Sequence, residues 1–388
     1  MSERTSVTVI LASGTVAAVA LGKFSPFLDR VREGFDLSLT NAGWLTSGIT
    51  VVAAAAATPV GRWAGATRAR SVLALGLVAT GLSGLAMSAF ADMAWQLFAL
   101  RLLEAVGYVA IMVTGPSLLA QVADAHLRSW ALALWGMCIP GGLAAAAAAG
   151  GLMAGAGWRA WIAVPAVAAI LLAVAVRWAV PLWTGQDGTA AAAAVPSTGR
   201  ISGSVWSLAS GFALVSMVGL ATVTLLPTFL STERGLPEGR SGALTSVVAA
   251  ASILGSVAAG LLVRRGVRHT SLFASALAMP LLGAGVFLGP TWPWCFVAAT
   301  LLMVVNGIVV AGVFSALPSV AGVSGAGRAT GMVTQMGSVG TLMGPPLFGA
   351  SKDLVGWWAV LPLTAAAALT GVAALSVAVR RETVTSEA

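Results

Sequence analysis

Long apolar segments recur along the whole chain and restrict its fold more than any other feature of the sequence. Each is about 20 residues long, the length that an α-helix needs to cross a bilayer. We predict twelve transmembrane helices, called spans 1 to 12, at residues 7–28, 40–61, 71–91, 94–120, 129–155, 160–182, 205–230, 241–263, 270–289, 293–319, 327–350 and 356–379. Only 9% of the residues are charged, against about 25% in soluble domains. The prediction is therefore an all-α integral membrane protein embedded in a lipid bilayer.

The basic residues of the loops predict the orientation of the chain. If the twelve spans alternate in direction, thirteen arginines lie on the side of the N-terminus and six basic residues lie on the opposite side. Because loops rich in lysine and arginine stay in the cytoplasm, both termini are predicted to be cytoplasmic in a multi-pass protein of the cell inner (cytoplasmic) membrane. The same loops account for the net charge of +8, so no nucleic-acid partner is expected.

A polar stretch rich in glycine, alanine, serine and threonine divides the chain between spans 6 and 7. It is the longest polar interruption in the sequence, and its composition is typical of a flexible linker. The predicted parts are an N-terminal six-helix half (1–183), a cytoplasmic linker (184–204) and a C-terminal six-helix half (205–388).

The two halves repeat each other at corresponding places. Leu37-Ser-Leu-Thr-Asn-Ala-Gly43 precedes span 2, and Leu236-Pro-Glu-Gly-Arg-Ser-Gly242 precedes span 8. Arginine-bearing loops follow both spans. A duplicated six-helix unit is how many secondary transporters are built, with the binding site near the midplane where the repeats meet. The pattern predicts two pseudo-symmetric halves around a central site.

Span 4 contains the charged residues that most strongly indicate a function. Arg101, Glu104 and Tyr108 stand at intervals of three and four, so a helix places them on one face. A charge at the bilayer centre costs about 2.5–3.5 kcal/mol on insertion scales, so two charges here indicate a use. Two interpretations of Arg101 remain open: it pairs with Glu104 and anchors span 4, or it contacts a substrate. Glu104 is the only carboxylate deep in an apolar segment, and our hypothesis is that it carries protons.

Lys23, near the outer end of span 1, also has two interpretations. Its side chain either extends to the membrane surface or points into the cavity between the halves. In the second case Lys23, Arg101 and Glu104 give the cavity a net positive charge. That charge favours an anionic substrate, a carboxylate held by charge-assisted hydrogen bonds.

Further polar or aromatic residues within the spans complete the predicted substrate site. They are Tyr108, Trp135, Asn306 and Gln335. Buried amides and hydroxyls in a membrane need partners, which are either a neighbouring helix or a ligand. For each of these residues interhelical packing and substrate binding are both left open.

Four short motifs give the chain a resemblance to a known family. They are Gly61-Arg-Trp-Ala-Gly-Ala-Thr-Arg68-Ala-Arg70 after span 2, Arg101-Leu-Leu-Glu104-Ala-Val-Gly107 in span 4, Gly136-Met-Cys-Ile-Pro140-Gly141-Gly142 in span 5, and Gly157-Trp158-Arg159 before span 6. With the twelve spans and the central linker, they resemble the major facilitator superfamily over essentially the whole chain. The resemblance implies the fold of that family, in which twelve helices form two halves that transport solutes by alternating access.

The chain departs from the family's pattern in the loops after spans 2 and 8. The family's aspartate, which helps to close the cytoplasmic side, is replaced by Gly65 in the first loop and by Arg264 in the second. The remaining arginines are predicted to form a cytoplasmic gate: Arg62, Arg68, Arg70, Arg264 and Arg265. Such arginine-rich loops are similar to those of the cyanate- and nitroimidazole-permease-like branch.

The predicted function is secondary active transport of a small organic anion, taken up with protons by a monomer. One alternative is proton-antiport efflux of drugs or metabolites, since the motif in span 5 resembles that of antiporters, although Ile139 replaces the glycine expected before Pro140. The alternative of another class is a membrane receptor or assembly factor on a transporter scaffold. The few histidines and cysteines lack the spacing of metal ligands, so no metal, no cofactor and no enzymatic reaction are predicted.

Overall fold

A computed structural model describes residues 3–181 and 202–385. Within these ranges it leaves out the side chains of residues 62, 65–67, 125–126, 129, 322–327 and 380–385. The predicted linker, 184–204, lies almost entirely outside the described residues, so its flexibility and the boundaries of the two halves stay predictions.

The described residues are almost all helical. They form α1 (Glu3–Gly22), α2 (Leu28–Gly34), α3 (Leu39–Ser47), α4 (Val51–Phe90), α5 (Ala94–Val122), α6 (Ala125–Gly136), α7 (Cys138–Leu152), α8 (Gly157–Ala179), α9 (Gly203–Thr232), α10 (Glu238–Arg264), α11 (His269–Ala274), α12 (Met279–Leu288), α13 (Trp292–Val355) and α14 (Val360–Thr385). Helices satisfy their own backbone hydrogen bonds, which an apolar membrane interior requires.

Ten segments among the described residues are helical, long and apolar enough to cross a membrane. An eleventh is the bent pair of Trp130–Gly136 and Cys138–Leu152, whose axes differ by 48°. These eleven correspond to spans 1 to 10 and span 12. Span 11 lies in the second part of α13, so its existence as a separate crossing depends on the path of that helix.

The path of α13 shows that it crosses twice. Asn306 Nδ2 donates a hydrogen bond to the carbonyl of Val215 in α9 (3.0 Å). Gly340, much later in α13, lies against the backbone of Ala213, two residues from Val215. On a straight helix Asn306 and Gly340 would be about 50 Å apart, so α13 turns back between them. Spans 10 and 11 are thus separate crossings, and the twelve-helix fold is confirmed.

Spans 1 and 2 are interrupted within their length. In span 1, α1 ends at Gly22 and a short 3₁₀ turn follows at Ser25–Phe27. In span 2, α3 ends at Ser47 and a 3₁₀ turn follows at Gly48–Thr50. The last carbonyls of a helix have no partner within that helix. Both interruptions therefore present backbone acceptors inside the protein.

The two sides of the membrane can be told apart from contacts between helices. Ser6 donates to the carbonyl of Ala179 (2.5 Å), so α1 begins where α8 ends; this is the terminal side. Arg30, after the end of α1, pairs with Glu238 at the start of α10 (2.7 Å); this is the distal side. The two halves touch closely on the distal side, where the backbone of Gly43 lies against that of Pro345 and Pro346.

Candidate functional site

Glu104 lies between two cations in the interior of the N-terminal half. Its Oε1 is 2.7 Å from Nζ of Lys23, and its Oε2 is 2.7 Å from Nη1 of Arg101. All three side chains are only 1% exposed. The structure thus brings together the three charged residues that the sequence indicated in spans 1 and 4. We call them the triad.

The Arg101 guanidinium is held by the ends of two helices. Its Nε donates to the carbonyl of Leu45 (2.9 Å) and its Nη2 to that of Thr46 (2.6 Å), both in the last turn of α3. Nη1 donates to Ala20 (2.9 Å) and Nη2 to Leu21 (3.1 Å), both in the last turn of α1. Helix C-termini carry partial negative charge, so they stabilise this cation.

These bonds decide between the two interpretations of Arg101 for the conformation described here. A guanidinium has five N–H donors, and the four carbonyls together with Glu104 use all five. Arg101 therefore pairs with Glu104 and fastens α1 and α3 to α5, and it has no donor left for a substrate.

Lys23 does not extend to the membrane surface, so that interpretation is wrong. Its ammonium group is buried beside Glu104, and its only other hydrogen-bond partner among the described residues is the Met87 sulfur at 3.6 Å. The ring centroid of Phe24 is 5.5 Å away. An ammonium group has three donors, of which the carboxylate takes one and the weakly accepting sulfur another. Lys23 is therefore the member of the triad with capacity left to bind something else.

The triad carries a formal charge of +1, and its side chains are almost completely buried. Removing one partner of a buried ion pair leaves an uncompensated charge and is strongly destabilising. The four carbonyls offset part of the positive charge at Arg101, but Lys23 depends mainly on Glu104. Any event that neutralises Glu104 therefore affects Lys23 first.

Tyr108 and Trp135 also lie in the N-terminal half. Tyr108 is 5% exposed, and its hydroxyl makes no hydrogen bond within the described part of the chain. Trp135 packs its ring against Gly14 of α1 and Gly115 of α5. Tyr108 lies on the α5 face that carries Arg101 and Glu104, whereas Trp135 fills the space between α1 and α5.

Asn306 and Gln335 join helices elsewhere. Asn306 links α13 to α9 through Val215. Gln335 connects the two halves, because its Oε1 accepts from Thr58 (2.6 Å) and its Nε2 donates to the carbonyl of Ala54 (3.0 Å). Neither residue contacts the triad. A role in substrate binding stays a prediction for Lys23, Tyr108, Trp135, Asn306 and Gln335. For Arg101 it stays a prediction for other conformations only, because in this one all five donors are used.

The predicted gate arginines make local contacts. The guanidinium of Arg68 lies 5.7 Å from the ring centroid of Trp63, and Arg70 donates to the carbonyl of Arg177. Arg264 and Arg265 are at the end of α10, while the side chain of Arg62 lies outside the described residues. No hydrogen bond or ion pair between the halves involves the described side chains of these arginines, so the gate stays a prediction.

The sequence did not indicate the polar contacts that join the halves on the distal side. Asp29 accepts a hydrogen bond from Ser231 (2.7 Å), and Arg30 pairs with Glu238. The sequence placed these residues only in loops, because the pairing joins positions about 200 residues apart. One signal was present: Glu238 lies inside the repeated segment that begins at Leu236. We call Asp29, Arg30, Ser231 and Glu238 the distal junction.

Sites for transition metals or thiol chemistry are not found within the described residues. No group of three or more histidine, cysteine, aspartate or glutamate side chains could hold a metal there. Cys138 and Cys295 are both buried and unpaired.

Comparisons with known proteins agree with this architecture. The family model for the Major Facilitator Superfamily matches residues 10–345. No curated protein sequence matches significantly.

Solved structures with the same fold share little sequence with this chain. A bacterial homologue of the human lysosomal transporter Spinster, inward-facing and occupied, has a TM-score of 0.76 at 14% identity and covers 98% of this chain and 96% of its own. A D-xylose–proton symporter has a TM-score of 0.76 at 16% identity and covers 95% and 97%. The inward-open xylose transporter XylE from E. coli has a TM-score of 0.73 at 14% identity and covers 95% of each chain. These likenesses show the fold alone.

Proposed function

We propose, from the premise that this chain belongs to the Major Facilitator Superfamily, that it takes up a small organic anion together with protons. Family membership makes it a secondary transporter that works by alternating access, and not an enzyme. The anion and the proton are our additions. They rest on one observation, the Glu104 carboxylate that divides its two oxygens between Lys23 and Arg101.

A proton on Glu104 changes the position of Lys23 more than that of Arg101. The guanidinium keeps its four carbonyl acceptors when the carboxylate is neutral. Lys23 loses its only strong partner and becomes a buried unpaired charge, which is costly. A carboxylate from a substrate restores that partner with charge-assisted hydrogen bonds.

Proton and anion together leave the charge of the site unchanged. The triad carries +1 with Glu104 ionised and +2 with Glu104 protonated. One carboxylate of the substrate returns the site to +1. Each ligand therefore favours binding of the other, which is the reciprocity that coupled transport needs. Tyr108, on the same face of α5, offers a further hydroxyl donor.

The proposal also includes the assembly state, the location and the gate that are predicted from the sequence. The carrier works as a monomer in the cytoplasmic membrane, with its termini in the cytoplasm and the arginines after spans 2 and 8 at the cytoplasmic gate. Proton symport occurs on this fold, since one of its structural neighbours is described as a D-xylose–proton symporter.

The test uses the purified protein in proteoliposomes with labelled small carboxylates. We expect a proton gradient directed into the vesicles to drive accumulation of the labelled carboxylate by the wild type. Glu104→Gln mimics the protonated carboxyl, so it should lose accumulation driven by the gradient while it keeps exchange of labelled for unlabelled substrate. Glu33→Gln, an exposed position on the distal side, is the matched control and should behave as the wild type.

Two outcomes contradict the proposal. Transport by Glu104→Gln with an unchanged pH dependence removes the role of Glu104. Exchange of substrate against protons, with drugs or metabolites leaving the vesicles as protons enter, replaces symport by the antiport alternative.

A further inference from the structure

A second polar site lies at the distal junction and shares no residue with the triad. A small cavity opens there between the two halves. It is lined by Ser25, Pro26, Asp29, Pro227, Thr228, Ser231, Glu238 and Ser241. Its free interior volume is about 10 Å³, which is about the space needed for a single water molecule or a small ion. The cavity therefore suits an ion or water and not the transported solute.

Four buried oxygens of this cavity lack a hydrogen-bond partner. They are Asp29 Oδ1, Thr228 Oγ1, Glu238 Oε2 and Ser241 Oγ. The residues Thr228 and Ser241 are only 3% and 1% exposed. Native proteins rarely leave buried polar atoms unsatisfied, and here four of them line one space. Their grouping points to a cation that these oxygens coordinate.

Both carboxylates of the cavity are held by their other oxygen. Asp29 Oδ2 accepts from Ser231 Oγ (2.7 Å), and Glu238 Oε1 accepts from Arg30 Nε (2.7 Å). These bonds fix the carboxylates and leave one oxygen of each for the cavity. Two negative charges and the one positive charge of Arg30 give the site a net charge of −1.

We propose that this cavity binds a monovalent metal cation of the size of sodium. Asp29 belongs to the N-terminal half, whereas Thr228, Glu238 and Ser241 belong to the C-terminal half. The ion therefore joins the halves. Carboxylate and hydroxyl oxygens suit hard cations. A water molecule would satisfy the hydroxyls but would leave the charge of −1 uncompensated, and a divalent ion would overcompensate it.

The position of the site gives the ion a function. Its ligands meet only when the distal side is closed, so the ion binds that conformation and stabilises it by mass action. The Glu238 side chain is 27% exposed, so ions reach the cavity from the distal side. The site needs no substrate and does not depend on the role proposed for Glu104.

The test measures the thermal stability of the purified full-length protein in sodium chloride and in choline chloride at equal ionic strength. We expect the melting temperature to rise saturably by several degrees with sodium. Asp29→Asn and Ser241→Ala each remove a ligand and should abolish the rise. If Asp29→Asn does not fold, Thr228→Val removes a hydroxyl without changing the charge and should weaken the response.

Asp353→Asn is the matched control. Asp353 Oδ2 also joins the halves on the distal side, because it accepts from the amide nitrogen (3.0 Å) and Oγ1 (2.9 Å) of Thr40. It does not line the cavity, so its variant should keep the sodium response. Equal stability in sodium and choline would mean that the cavity holds water only. A response retained in Asp29→Asn and Ser241→Ala, or produced by millimolar calcium in place of sodium, would overturn the proposal.

Discussion

Arg101 performs a task that only arginine can perform in this position. Its planar guanidinium reaches the ends of α1 and α3 and also Glu104, with five donors in a fixed geometry. Lysine carries the same charge on one nitrogen with three donors and cannot serve acceptors that surround it on several sides. The residue therefore determines where the two interrupted helices meet α5.

Arg101→Lys should destabilise the protein strongly although the charge is kept. Hydrogen bonds to charged groups contribute about 1.5–3 kcal/mol each, and at least two are lost, so we expect a loss of about 3 kcal/mol or more. The drop in melting temperature of the purified protein measures it.

Arg159→Lys is the control for that substitution. Arg159 also binds backbone carbonyls, those of Ser88 and Ala91, together with a carboxylate, that of Asp92. It is partly exposed, so solvent replaces the lost bonds and the drop should be much smaller. Equal drops in melting temperature for the two variants would show that burial does not raise the cost of losing the hydrogen bonds of Arg101.

At the scale of helices, the repeated segments before spans 2 and 8 play equivalent parts. Gly43 lets α3 approach the backbone of Pro345 and Pro346, and Gly242 lets α10 approach Gly151 of α7. Each contact joins an N-terminal to a C-terminal helix on the distal side. The two glycines stand at corresponding positions of the repeat, so the sequence symmetry reappears as a pair of symmetric contacts.

Gly43→Ala should hinder closure of the distal side. A Cβ at Gly43 would lie 2.6 Å from the Pro345 carbonyl carbon, and overpacking of this kind costs about 1–3 kcal/mol. The closed conformation should become roughly 5- to 150-fold less populated, and the initial rate of substrate exchange in proteoliposomes should fall. Gly141→Ala, which meets no neighbour within 4 Å, should exchange at the normal rate. Equal rates would show that transport does not require this close contact.

The alternation of twelve crossings determines which loops lie on the same side of the membrane. The contacts that define the terminal and distal sides agree with the alternation predicted from the apolar segments. The terminal side is predicted to face the cytoplasm, because its loops carry thirteen basic residues and the distal loops carry six. Loops rich in basic residues prefer the cytoplasm.

Cysteine labelling in intact cells tests that orientation. Asp92→Cys lies between α4 and α5 on the distal side, at a position whose side chain is 78% exposed, and should react with a membrane-impermeant maleimide. Arg265→Cys, on the terminal side, should react only after the membrane is permeabilised. The native cysteines are buried and should give little background. The reverse labelling pattern would invert the topology.

The sequence by itself determined the class of fold, because apolar length and the scarcity of charge act locally and need no knowledge of packing. It also singled out Glu104, Arg101 and Lys23, since charged residues in apolar segments stand out residue by residue. The repeat around Gly43 and Gly242 was visible for the same reason.

Only the tertiary structure decided what those residues touch. The partners of Arg101 are backbone carbonyls of Ala20, Leu21, Leu45 and Thr46, and every residue type has a carbonyl, so no sequence pattern marks them. Lys23 was at the end of an apolar segment, and whether it turned inward depended on Glu104 in another helix. The distal junction joins residues about 200 positions apart, and such pairs exist only once the two halves are packed together.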